Sequence, residues 1–193
     1  MAIINISREL FSSPVYPGDP APSFEQIRRI DQGDSCNLTV FYSGSHSATH
    51  LDAPLHFAGG GETIDRFPLD RFYGPCTVVE ADGILSVEDV LPLLPRCRDK
   101  ILFKGNGRAF LSADAGRALA EAGVTLVGTD AQSVAAYGDE TAPHRALLGS
   151  GVLLLEGLDL SRVEPGEYTL AAFPLFVRGL EAALTRAVLI TED

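Results

Sequence analysis

The chain has 193 residues, with Lys+Arg 15 against Asp+Glu 26 for a net charge of -11, 46% hydrophobic residues, no Trp, three Cys and four His. Such a length suits one domain that buries about 70% of its unfolded surface, and two lysines with thirteen scattered arginines leave no basic stripe for nucleic acid or an anionic membrane. No apolar run approaches the ~20 residues that span a bilayer, and the opening MAIINISREL lacks the charged and apolar regions of a leader, so a cytoplasmic location is expected.

The predicted elements are apolar runs punctuated by Gly and Pro. Strands are expected at Ala2–Ile6, Leu38–Ser43 and Cys76–Ala81. Ser86, with Asp89 three residues on, marks a capping box opening SVEDVLPLL, a helix that Pro92 shortens. A strand at Lys100–Lys104 precedes the clearest helix, ADAGRALAEA, with Ser112 as its N-cap and Gly123 as its terminating glycine. Strands at Val124–Gly128 and Val152–Leu155 flank a short turn that starts at Pro143 and ends near Gly149, and strands at Tyr168–Ala172 and Ala187–Thr191 follow. Several of these runs are continuously apolar, as in strands covered on both faces, which predicts an α/β fold with more strand than helix in a single domain spanning 1–193.

Three further features read plainly. Cys36, Cys76 and Cys97 are odd in number and show no C-x-x-C pairing, which argues against a disulfide framework or thiolate zinc site and for small buried hydrophobes. Gly59-Gly60-Gly61 lacks the Lys-Ser/Thr of a phosphate loop and reads as a flexible turn. Thr129-Asp130 follows a strand and precedes AQSVAAYG, where a helix cap is at least as well supported as a catalytic role.

Chemistry concentrates between residues 46 and 57, which read H-S-A-T-H-L-D-A-P-L-H-F. His46, His50, Asp52 and His56 offer imidazole nitrogen and carboxylate oxygen, a donor set suited to divalent Zn, Mn or Fe. A straight strand would separate His46 and His50 by about 13 Å, and a regular helix would swing Asp52 away from both. The segment is therefore expected to be irregular: a tight turn carrying His46 and His50, then extended chain enforced by Pro54, with ligands converging from a loop beside a sheet end. Further along, Glu156 closes the apolar run V-L-L-L-E, where an unpaired carboxylate is costly to bury. Its counter-charge is either a cation or an arginine such as Arg145 or Arg186.

The full H-x-x-x-H-x-D-x-x-x-H spacing resembles the signature of the cyclase family of metal-dependent hydrolases, which includes bacterial kynurenine formamidase and isatin hydrolase and whose usual form is H-x-G-T-H-x-D-x-P-x-H. Thr49, Asp52, Pro54 and His56 match it. The resemblance extends through I-S-R-E-L, Tyr16 to Pro20, Gly128-Thr129-Asp130 with Ser133, the segment 144–157, Gly166-x-Tyr168 and Phe173-Pro174-Leu175. It implies a swivelling β/β/α fold, assembly as a homodimer or homotetramer, and a small-molecule substrate. It also implies that His46, His50, Asp52, His144 and Glu156 are metal ligands, and that His56 is the acid/base residue or part of a second ion's shell. One or two Zn2+ ions are expected, with Mn2+ as the other candidate.

Such a centre prepares a water and a carbonyl for reaction at neutral pH, and His56 is suited to carry the proton to a leaving amine. The implied reaction is hydrolysis of an aryl formamide, N-formylkynurenine to kynurenine and formate; lactam opening as in isatin hydrolase is the alternative. Tyr16, in the place where formamidase-like members often carry tryptophan, and Phe57 offer aromatic surface to such a substrate. Two departures stand out. Ala48 occupies the usual glycine, and Gly179 to Arg186 replaces the family's Gly-x-Asp-Gly-x-Pro-x-Arg element while keeping only its flanking Gly and Arg. These changes motivate a further alternative, a metal-containing member without hydrolase activity.

Overall fold

The computed structural model describes residues 1–191. Its strands are β1 (Ile3–Asn5), β2 (Ser23–Arg28), β3 (Leu38–Tyr42), β4 (His50–Asp52), β5 (Tyr73–Glu80), β6 (Gly83–Leu85), β7 (Lys100–Lys104), β8 (Ala109–Leu111), β9 (Leu126–Thr129), β10 (Leu153–Glu156), β11 (Gly166–Ala171), β12 (Ala182–Leu184) and β13 (Val188–Ile190). Helices α1 (Val87–Val90), α2 (Ala113–Glu121) and α3 (Thr141–Leu148), with five short 3-10 turns, complete the regular structure of the described residues.

Nine strands form one mixed sheet in the order β1-β13-β11-β5-β7-β9-β10-β4-β12. Its centre, β5-β7-β9-β10, is parallel, and both flanks are antiparallel. The parallel strands are mostly apolar in their middles because both their faces are covered, and the two-residue alternation divides them cleanly. Ile101, Phe103, Val127 and Leu154 point to one side, where Val90 of α1, Leu119 of α2 and Leu147 of α3 pack on them. Leu102, Leu126, Leu153 and Leu155 point to the other, joined there by Ile6, Leu51, Leu170, Ala183 and Leu189. Residues from both ends of the sheet thus share one core cluster, so the sheet curls strongly upon itself. The α/β expectation with few helices holds.

Caps and turns explain the helices. Ser112 accepts the N–H of Ala115 at 3.1 Å, and Gly123, at φ 84°, follows α2. The capping box of Ser86 and Asp89 is present, and α1 ends before Pro92. The expected turn at Pro143 is a longer element: Thr141 begins an eight-residue helix that includes Pro143 in its first turn, where proline is tolerated.

The helix-cap reading of Asp130 is corrected. No helix starts at it, the next being α3 at Thr141; its carboxylate accepts the backbone N–H groups of Gly105, Asn106 and Gly107 and pins the loop after β7. Cys36 is exposed and Cys97 half-buried, so only Cys76 is a buried hydrophobe, its thiol pushed up to about 12 chiefly by burial. Strands β2, β4, β6, β8 and β12 were not legible, being short or, in β2, exposed along their whole length.

Candidate metal centre

The site is built on β4, held between β10 and β12. In the antiparallel register His50 faces Glu156 and Asp52 faces Leu154, while Leu184 faces His50 from the other side. This corrects the expected placement of His50 in a turn. His46 alone sits on the turn, whereas His50 and Asp52 belong to the sheet, and Pro54 starts a 3-10 turn ending at His56 instead of extended chain. Ala53 is extended, as the residue before a proline should be.

Turn and strand are fixed by a close backbone approach. Ala48 sits at φ 51°, a left-handed conformation, and its carbonyl lies against Gly157, where any Cβ would come within 2.1 Å of it. Only glycine can occupy position 157, because a side chain there would drive β10 from the turn that carries His46. Thr49 binds the two together, donating to the Gly157 carbonyl at 2.6 Å and accepting the N–H of Arg8 at 2.9 Å.

Six residues converge here. Asp52 Oδ1 lies 2.9 Å from His46 Nδ1 and 3.4 Å from His50 Nε2. Glu156 lies 3.5 Å from His50 Nε2 through Oε2 and 3.4 Å from His144 Nε2 through Oε1. His56 stacks on His46 with ring centroids 4.0 Å apart. The alternative counter-charge to Glu156, an arginine, is not found among the described residues: the side chain of Arg186 donates to Asn5, and Arg145 is exposed. Besides the two histidines, Glu156 accepts the N–H of Val134 at 2.8 Å.

The protonation pattern is decided by simple chemistry. A carbonyl can only accept, so His50 donates from Nδ1 to Ala48 O at 3.1 Å and His144 donates from Nδ1 to Glu140 O at 2.7 Å. In the neutral rings each Nε2 is then a lone pair facing carboxylate oxygens, which also carry only lone pairs. Such an arrangement needs positive charge between its members. His50 Nε2 and both oxygens of Asp52 are buried with no hydrogen-bond partner among the described residues. Two overlapping groups, His46-Asp52-His56 and His50-Asp52-Glu156, have donor atoms close enough to surround an ion, with Asp52 common to both. Neighbouring ligands on one tetrahedral zinc stand about 3.3–3.5 Å apart, close to the 3.4 Å, 3.5 Å and 3.4 Å spacings of His50 and His144 from the carboxylates, while the His46–Asp52 pair is tighter at 2.9 Å. The residues present therefore fit a divalent cation.

The electrostatics agree. Burial opposes charge on His46, but the Asp52 carboxylate outweighs it and raises the ring to about 9. Burial works against His50 and His144 likewise and is overcome by Asp52 and Glu156 for the first and by Glu156 for the second, so both are raised. Glu156 is held below the usual carboxylate range despite its burial, by those same histidines. His56 behaves oppositely: burial pulls it down to about 4, with Asp52 opposing and His46 and His144 adding to the fall.

Beside the cluster opens a cavity of about 330 Å³ lined by Tyr16, His56, Phe57, Gln132, Ser133 and Glu140, among others. Phe57 stacks on His144 at 4.4 Å and meets His56 edge-on at 4.4 Å. The Tyr16 hydroxyl donates to Glu140. All eight residues singled out from the sequence thus lie in one place. Glu140 and Glu181 were missed. Glu181, 3.3 Å from His46 Nε2, sits in the altered segment after Gly179, at the place where the family's Gly-x-Asp-Gly-x-Pro-x-Arg element has its Asp, and that carboxylate position is the signal that could have marked it.

Fold and site together are those of an α/β protein with a candidate divalent-cation centre opening onto a cavity sized for a small molecule. A family profile described as "Putative cyclase" matches residues 4–136. The kynurenine formamidase of Salinibacter ruber (strain DSM 13855 / M31) is 38% identical over 98% of this chain and 97% of its own length. Among solved structures, a potential metal-dependent hydrolase with cyclase activity superposes with a TM-score of 0.87 at 28% identity, covering 100% of this chain and 99% of that one. Isatin hydrolase A from Labrenzia aggregata, bound to benzyl benzoate, shares the fold with a TM-score of 0.81 at 21% identity, over 99% and 94% of the two chains. The chain belongs to the cyclase family.

Proposed function

We propose that this protein is a metal-dependent amidohydrolase of the kynurenine formamidase type, acting on C–N bonds other than peptide bonds and converting N-formylkynurenine and water to kynurenine and formate. The observation that carries the reading is the buried set of lone pairs, His50 Nε2 and both Asp52 oxygens, that have no hydrogen-bond partner among the described residues. The formamidase relative, similar over nearly its whole length, supports the substrate.

His46, His50, Asp52, His144 and Glu156 hold one or two ions, zinc first and manganese second given a nitrogen and oxygen donor set without thiolate. A divalent cation in this position supplies Lewis acidity to a carbonyl oxygen and to water. His56, neutral at pH 7 with its ring drawn down to about 4, takes a proton from the attacking water and delivers it to the amide nitrogen as the C–N bond breaks, releasing an arylamine and formate. Phe57 fixes the His56 and His144 rings by stacking, and Tyr16 closes the far side of the cavity with aromatic surface. A single domain working as a cytoplasmic homodimer or homotetramer completes the reading; exposed Phe24, Val40, Phe41 and Tyr42 on the β2-β3 hairpin support self-association, and sedimentation tests it. No helix among the described residues is long and apolar enough to cross a membrane.

The test is a comparison of purified, zinc-loaded protein on N-formylkynurenine and on isatin. Formate release from the first, abolished in His50→Ala together with the bound metal, is the expected result. Turnover of isatin alone replaces the formamidase reading by the lactamase one, and turnover of neither overturns both.

A further inference from the structure

The altered segment after Gly179 places an unforeseen carboxylate against the metal centre. Glu181 Oε1 is 3.3 Å from His46 Nε2, an ion-pair distance, and this buried ring nitrogen forms no hydrogen bond among the described residues. The carboxylate is itself held: Ser45 Oγ, adjacent to His46, donates to the same Oε1 at 2.5 Å. The Glu181 backbone carbonyl accepts the N–H of Ala53 at 2.8 Å, next to Asp52. One residue therefore grips the ligand segment at both ends, and half-buried Glu181 approaches His46 from the side away from Asp52.

We infer that Glu181 is a positioning residue that accepts a proton-bearing Nε2 of His46 and thereby commits that ring to offering Nδ1, with Asp52 Oδ1, to the ion. The inference rests on the reading of His46 as a metal ligand. It makes His46 the reverse of its neighbours. His50 and His144 spend Nδ1–H on backbone carbonyls and present Nε2, whereas the His46 Nδ1 lies 2.9 Å from Asp52 Oδ1 without forming a hydrogen bond to it. A carboxylate on the outer nitrogen of a metal-bound histidine fixes its tautomer and orientation and raises its basicity. The segment that departs from the family pattern is on this account a support of the centre. It is not evidence that the centre has been lost.

The experiment is long-range 1H–15N correlation spectroscopy of the zinc-loaded protein with labelled histidine, with His46 assigned by His46→Gln. His46 is expected to show a protonated Nε2 and a metal-bound Nδ1, opposite to His50 and His144. Glu181→Gln is expected to shift the His46 Nε2–H resonance and to weaken zinc binding by about 10–100-fold in chelator competition, with Ser45→Ala weakening it less. The main-chain bond to Ala53 remains in both variants. Zinc bound to Nε2 of His46, or unchanged zinc affinity in Glu181→Gln, overturns this inference alone. A protein that binds no zinc overturns the functional reading with it, while loss of formamidase turnover with the expected spectrum overturns only the proposed substrate.

Discussion

At the level of single residues, the division of labour follows from where charge is tolerated. His46, His50 and His144 are raised because carboxylates face them, and His56 is lowered because burial dominates and two other histidines surround it. Removing the His56 ring should therefore leave the ion in place and remove the proton carrier: His56→Ala is expected to lower kcat by about 10²–10⁴-fold with zinc content by elemental analysis unchanged. A fall in zinc content instead would make His56 a ligand of the His46-Asp52-His56 group. In metal-free protein the raised His46 adds a pH dependence whose sign is fixed. The folded ring titrates near 9 against an ordinary 6.5, so its pairing with Asp52 contributes stability fully present below about pH 6.5 and lost as pH rises through about 9. The melting temperature of chelator-stripped protein should fall across that window. Zinc-loaded protein should not, because binding needs the deprotonated rings.

Elements set the geometry that those residues use. Residue alternation on β4 directs His50 and Asp52 to one side and Leu51 to the opposite core, and pairing with β10 brings Glu156 beside them. The crossing of the turn and the start of Gly157 is the tightest point. Gly157→Ala is expected to cost more than 4 kcal/mol or to prevent folding, since its Cβ meets a backbone carbonyl that cannot move aside. At Ala48 the opposite change should help. The methyl in a left-handed conformation is strained by about 1–2 kcal/mol, partly offset by the greater unfolded-state freedom of glycine. Ala48→Gly is thus expected to stabilise the protein by about 0.5–1 kcal/mol in denaturant titration, with zinc affinity kept.

For the molecule as a whole, the centre joins parts far apart in the chain: the turn and strand at 46–52, α3 with His144, β10 with Glu156, and the segment after Gly179 with Glu181. An ion held by these elements links folding to binding. Chelation should lower the melting temperature and zinc should restore it, by an amount that grows with free zinc as mass action requires. A melting temperature indifferent to zinc would mean that the convergence is not a metal site.

What the sequence by itself determined was the local chemistry: donor types and spacing at 46–56, the caps of α1 and α2, and the continuous apolar runs of the parallel strands all act over a few residues and can be read in order. Even Ala48 was legible as the residue standing where glycine was expected. The tertiary structure decided what depends on pairing. A three-residue strand such as His50–Asp52 has no periodicity of its own and exists because β10 and β12 hold it. Asp130 lost its helix-cap reading because a distant loop claimed its carboxylate, and Cys36 lost its burial because the β2-β3 hairpin stands clear of the core. Glu181 became part of the centre for the same reason. Nothing adjacent to it in the chain names a partner, and only the curl of the sheet places it against His46.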